Sequence, residues 1–315
     1  MSTAAARAHQ QLQEQHADGA AAEAARLWGR VDPSNIQASW AAQVPRATTV
    51  LSAAQLAAAL GAVEYLDELM GIAAPPTAPI NPASLAGVAS DGRDLWTLLL
   101  QPGIGTLDRI QHGETPTRAM AWGQWQLDTI ARTQTADAAR ASEQLGMAVR
   151  PRVVAYTRVV EASACARCMI LAGQEYAWSE GFLRHPQCVC TMRPMRPGER
   201  ITGDSPKAAF DSLSRAEQDR RFGEHAAEAI RAGADMSQVV NARRGMDTAQ
   251  GRYTTEGTTR RGYAGQRLGN LTDRSGRYVR SGTPRLMPDA IIRDASDRDH
   301  AMRLLYEHGY LATQP

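Results

Sequence analysis

Apolar residues recur at helical spacing along most of this chain, and strand-like alternation is confined to one short stretch. From Val50 to Met70, Leu56, Leu60, Val63 and Met70 fall at spacings of four, three and seven, and Gly71 is placed to end an amphipathic helix. A longer helix is predicted to start at Thr115-Pro116, with Thr115 as cap and Pro116 in the first position. Met120, Leu127, Ile130, Ala138, Ala141 and Leu145 trace its face over about 45 Å. Leu85 to Leu100 predicts a shorter helix carrying Trp96 and Leu99, stopped by Pro102-Gly103. Asp32-Pro33-Ser34 launches another that Pro45 interrupts. Residues 1 to 30 have few large apolar groups, chiefly Leu12, Leu27 and Trp28, and read as a solvated helix or a disordered arm.

Pro151 breaks the long helix, and the β-branched run Arg152 to Val160 predicts a strand. Ser214-Arg215-Ala216-Glu217 is a capping box that starts a helix to about Phe222; two short helices follow, near Glu224 to Ala232 and Asp235 to Arg244. Pro288 and Ser296 open two final helices, the last ending at Gly309. The chain therefore reads as mainly α. It has an N-terminal helical region (1–73), a Pro-rich linker (74–82) serving as a hinge, a helical body with the long helix (83–150), and a small α+β module (151–200) that carries every cysteine. A short-helix segment (201–245), an extended basic Gly/Arg-rich arm (246–285) and C-terminal helices (286–315) follow.

Composition refines this picture. Hydrophobic residues make up 43%, but many are alanine and only three are phenylalanine, so thin helical cores are expected. No run of eighteen apolar residues is present, and the expectation is that nothing spans a membrane. The formal charge is only +2, yet Arg243 to Arg285 holds ten arginines against Asp247, Glu256 and Asp273. Such a stretch suits a polyanion or an acidic protein surface. The residues it would use are Arg243, Arg244, Arg252, Arg260, Arg261, Arg267, Arg274, Arg277 and Arg280. Trp122 and Trp125 read as a core or partner-docking pair, and His9 and His112 as solvated.

The chemistry is concentrated in Cys165 to Cys190, a stretch of 26 residues that holds all four cysteines. Cys165-x-x-Cys168 lets two thiolates converge on one ion, and His185-Pro-Gln-Cys188-Val-Cys190 offers three donors for the two remaining tetrahedral places. A single structural zinc is the expectation, with disulfides or metal-free thiols as alternatives. The deaminase order H-x-E…P-C-x-x-C and the H-E-x-x-H helix are both missing. Glu175 and Glu180, which lie between the two knuckles, read as solvated loop carboxylates rather than catalytic bases, so no enzyme is expected.

The strand-like Val153 to Val160, then Cys-x-x-Cys, Ala172-Gly173 and His-Pro-x-Cys-x-Cys resemble the Mu F-like minor head proteins of tailed bacteriophages. That family's usual ending is His-Pro-Asn-Cys-Arg-Cys; here Gln187 and Val189 stand at the two variable places. Phe210 to Gly245 and Met287 to Leu311 are similar to actinobacteriophage members, so the resemblance covers roughly residues 120 to 312. It implies a non-enzymatic minor capsid protein acting in head assembly, DNA packaging or delivery. It also implies the portal protein and major capsid protein as partners, with viral double-stranded DNA as a further partner through the basic arm. The expected location is the capsid interior or portal vertex of the virion, and the host cytoplasm during assembly. The rival readings are a zinc-dependent nuclease or peptidase and a zinc-containing DNA-binding regulator.

Overall fold

A computed structural model describes residues 3–160, 164–200, 205–243, 246, 252–256 and 280–313. The chain divides into two compact units: residues 1–164 with 173–202, and residues 165–172 with 203–315.

The first unit is built on three long helices, α1 (Thr3–Trp28), α2 (Ile36–Met70) and α5 (Pro116–Ala148), each packed against the other two. Two shorter helices, α3 (Leu95–Leu99) and α4 (Gln101–Gln111), lie beside them. Residues 3–28 are helical but neither solvated nor a disordered arm: α1 buries Ala17, Ala20, Ala21, Ala24, Leu27 and Trp28. Alanine is a weak hydrophobic signal in a sequence, but a row of small side chains lets helix backbones approach closely enough to exclude water. Trp28 meets Trp40 of α2 edge to face at 5.0 Å, and both indole N–H groups donate to carbonyls, of Met120 and Leu99 respectively. A Cβ added at Gly123 would lie 2.4 Å from the Trp28 ring, so α5 needs glycine where it crosses that indole.

Pro45 does not interrupt α2. The helix runs through it, with Val44, Ala47 and Leu51 buried on either side. Proline inside a helix costs about 3 kcal/mol through a lost hydrogen bond and a ring clash; burial of the flanking positions against the bundle offsets that cost. A helix ends before Pro102 as expected, α3 stopping at Leu99, and Pro102 itself falls in the first turn of α4, where its missing N–H would have had no intrahelical partner. In length and apolar composition α2 could cross a membrane, which a search for unbroken apolar runs does not reveal; here its apolar face lies against α1 and α5. The 74–82 segment joins elements that pack into one bundle, and Thr77 fixes it to the end of α5 through two bonds to the Val149 carbonyl.

After α5 the chain forms β1 (Ala155–Val159), the central strand of an antiparallel sheet of order β2-β1-β3 with β2 (Glu175–Ala177) and β3 (Thr191–Met195). The sequence from β1 to β3 contains every cysteine. A one-turn helix, α6 (Ala166–Met169), lies within that stretch.

In the second unit, short helices start at side-chain caps. Ser205 opens α7 (Pro206–Asp211), Ser214 opens α8 (Arg215–Phe222) and Asp235 opens α10 (Met236–Ala242), while α9 (Glu224–Arg231) begins directly after Gly223. Phe210 and Phe222 pack edge to face at 5.1 Å. The described ends of the basic segment pair as an antiparallel hairpin, β4 (Tyr253–Glu256) with β5 (Arg280–Leu286). Arg285 at its base is buried against the Tyr310 ring and donates to the His308 carbonyl and the Gln238 side chain. Helices α11 (Pro288–Asp294) and α12 (Arg298–Glu307) complete the unit.

Candidate metal centre

The first pair of thiols is set by a backbone turn. The carbonyl of Cys165 accepts from the N–H groups of Cys168 and Met169, each at 3.0 Å, which curls the four residues so that positions 165 and 168 share a side. Cys168 is buried, and Cys165 is exposed at the start of α6. Gly173, at φ 71, then returns the chain to the sheet through a bond from its N–H to the Arg158 carbonyl.

The second knuckle is shaped by α5. Gln187 has φ 63, the only positive value among the described non-glycine residues. Asparagine tolerates this left-handed region better than glutamine does. Here the conformation is held by three bonds to α5: the Gln187 N–H to Thr133 Oγ1, and its side-chain amide to Asp128 and Thr129. His185 Nδ1 lies 2.7 Å from the Pro186 carbonyl. That contact assigns the proton to Nδ1 and leaves the Nε2 lone pair for a metal, the usual way a backbone carbonyl orients a ligating histidine. Cys188 and Cys190 are both buried, and their thiols fall in one trio with that of Cys168.

Two trios of ligand atoms result. Within Cys165, Cys168 and His185, and again within Cys168, Cys188 and Cys190, all ligand atoms lie within 4.8 Å of one another. Thiolates on a tetrahedral zinc stand about 3.8 Å apart, so the spacing within each trio is close to that of three ligands on one ion. The two trios share Cys168 and between them contain all five residues expected from sequence, and a donor set of sulfur and imidazole fits zinc. Glu175 and Glu180 are exposed.

Buried charge braces this stretch. Arg140 of α5 donates to the carbonyls of Cys188 and Cys190, at 2.9 and 3.0 Å, and pairs with Asp137. Asp137 also accepts from both arms of the Arg184 guanidinium and from Ser90. Burial works against ionisation of Asp137, but the Arg184 hydrogen bond and the Arg140 charge outweigh it and hold the carboxyl below its ordinary range. One helical turn on, the fully buried Glu143 accepts from Thr191 Oγ1, from the Met192 N–H and from His9. His9 is therefore not solvated: its ring stacks on Tyr65 at 4.1 Å, and the Tyr65 hydroxyl donates to the Met192 carbonyl. Burial, reinforced by the Glu143 charge, pushes that hydroxyl well up. Sequence reasoning passed over Asp137, Arg140 and Glu143. Their spacing of three along one side of an otherwise alanine-rich helix was the available signal.

The other sequence candidates fare differently. His112 is exposed and bonded to the Asp108 carbonyl. Trp122 lies under the Arg109 guanidinium, whereas Trp125 is largely exposed. Of the nine arginines named for polyanion contact, Arg243 bonds to the Phe222 carbonyl and faces Asp289, and Arg252 pairs with Asp294. Arg244, Arg260, Arg261, Arg267, Arg274 and Arg277 lie outside the described residues, and Arg280 is described only as part of the β5 backbone.

No curated protein matches the chain, and neither does any solved structure. A family model does, that of the VG15 protein, over residues 1–216, a span that includes the three-helix bundle and all five ligand candidates. With more than half of its length matched, the chain belongs to the VG15 protein family and is a phage-encoded protein.

Proposed function

We propose that this chain is a non-enzymatic minor structural protein of a tailed-phage head, of the Mu F-like kind, and that its metal knuckle holds a docking surface in shape. The observation that carries the reading is the surplus of ligands. Two trios that share Cys168 hold five sulfur and nitrogen donors between them, more than the four places on one zinc, which favours a closed structural site over a catalytic one that keeps a position for water. Neither Glu175 nor Glu180 belongs to either trio, which supports the same view, since a catalytic base would sit beside the ion. The resemblance of His185 to Cys190 to the family's ending supplies the virion role: residence at the portal vertex or capsid interior, reached from the host cytoplasm during assembly. On this reading the portal and major capsid proteins are the partners, no membrane is involved, and viral DNA meets the basic segment between Arg243 and Arg285.

The test has two parts. Metal analysis with X-ray absorption on the purified chain should give one zinc with four protein ligands; a coordinated water beside a carboxylate would turn the reading to the nuclease or peptidase alternative. Labelling the protein in purified particles should place it at the portal vertex or inside the capsid. Its absence from particles, together with tight sequence-dependent DNA binding, would favour a regulator.

A further inference from the structure

We propose that Arg158 is the positioning residue of the metal centre, holding Cys188 toward the ion as a thiolate ligand through an N–H to sulfur hydrogen bond. The inference rests on the metal reading above and adds a residue of the sheet to it.

Arg158 lies on β1, the middle strand, and is 1% exposed, among the most deeply buried large side chains of the protein. A guanidinium is rarely taken out of water without a fixed set of acceptors. Here Nη2 points at Cys188 Sγ at 3.5 Å, Nη1 donates to the Leu183 carbonyl at 3.1 Å, and the plane lies over the Phe182 ring at 4.3 Å. Leu183, Phe182 and Cys188 all belong to the loop that carries the second knuckle, so one side chain anchors that loop to the sheet. Backbone pairing fixes Arg158 itself, which is in register with Met192 on β3.

The chemistry follows from charge. Zinc with three or four thiolates carries net charge between −1 and −2, and such a centre is costly in a buried setting unless cations offset it. Arg158 supplies that cation directly at a sulfur. Arg140, by contrast, reaches only the backbone carbonyls of Cys188 and Cys190. The two arginines thus divide the work: Arg140 sets the course of the chain, and Arg158 acts on the ligand atom. By this criterion Cys188 is one of the four ligands, and His185, Cys165, Cys168 and Cys190 contribute the other three.

The experiment is a competitive cobalt and zinc titration of the full chain, read by the sulfur-to-cobalt charge-transfer band. Arg158→Gln should weaken metal affinity about 10- to 100-fold, the range seen when residues behind a ligand are removed, and lower the band by the share of one thiolate. Arg158→Lys, which keeps the charge but not the planar fork, should fall between wild type and Arg158→Gln; it also serves as the assay should Arg158→Gln fail to fold. A purely architectural role is separated by a double-mutant cycle: in a Cys188→Ser background the Arg158→Lys change should have almost no further effect on affinity. Equal affinity in wild type and Arg158 variants, or full additivity with Cys188→Ser, would overturn the assignment while leaving the metal site standing. A wild-type chain that takes up no metal would instead end the metal reading, and this assignment with it.

Discussion

Cys165 and Cys168 sit on a turn closed by its own backbone, while His185 to Cys190 are fastened to α5 and β1 by Arg140, Arg158 and Gln187. The contrast separates two ways of making a metal site. A short turn is readily formed and readily lost, so its geometry depends on the ion that closes it. A loop held by buried charged side chains keeps its shape from the fold, and presents its ligands before metal arrives. On the proposed metal reading, the second knuckle would be the template and the first the part that an ion orders.

The largest effect that would break this contrast is metal removal. A structural zinc contributes on the order of 10 kcal/mol of apparent binding energy in small domains. Chelation, or Cys168→Ser, should therefore abolish hydrogen-exchange protection over residues 165–172 and leave residues 187–195 protected. Equal loss in both stretches would show that the second knuckle is not preformed. Next in size is Arg140→Met, which strands two carbonyls and removes a partner of Asp137. It should cost about 3 to 5 kcal/mol in denaturant unfolding of the full chain. A cost below about 1 kcal/mol would mean that the loop is held by something other than α5.

A smaller effect is the acid response. Because the folded-state carboxyl of Asp137 is depressed, its contribution to stability is fully present above the ordinary carboxylate pKa of about 4 and is lost as pH falls through the lower folded value. Asp137→Asn should flatten that part of the stability profile, and an unchanged slope below about pH 4 would refute the pairing. The smallest expected effect belongs to Gln187→Asn. Asparagine suits φ 63 better but is too short to reach Asp128 and Thr129 as glutamine does, so the two changes should nearly cancel, within about 1 kcal/mol in thermal unfolding.

Much of the fold was legible because its signals are local. The capping box at Ser214, the proline at the start of α5 and the β-branched run of β1 each act within a few residues, and each appears where the pattern places it. The errors have a common cause as well. Alanine-rich α1 looked solvated, and Pro45 looked like a break, because neither local hydrophobicity nor propensity records what a neighbouring helix will cover. His9 looked free because its partners, Tyr65 and Glu143, are 56 and 134 residues away in sequence.

The sequence by itself singled out the candidate metal donors, since four cysteines and a histidine packed into 26 residues are spaced as ligands of one ion are. It also determined the helical character, through periodicity and caps. Only the tertiary structure decided which charges stand behind those donors. Arg140 and Arg158 lie 48 and 30 residues before Cys188, on a helix and a strand. Burial of a guanidinium is tolerable only where distant segments deliver its acceptors, and that meeting is settled by packing rather than by any short motif.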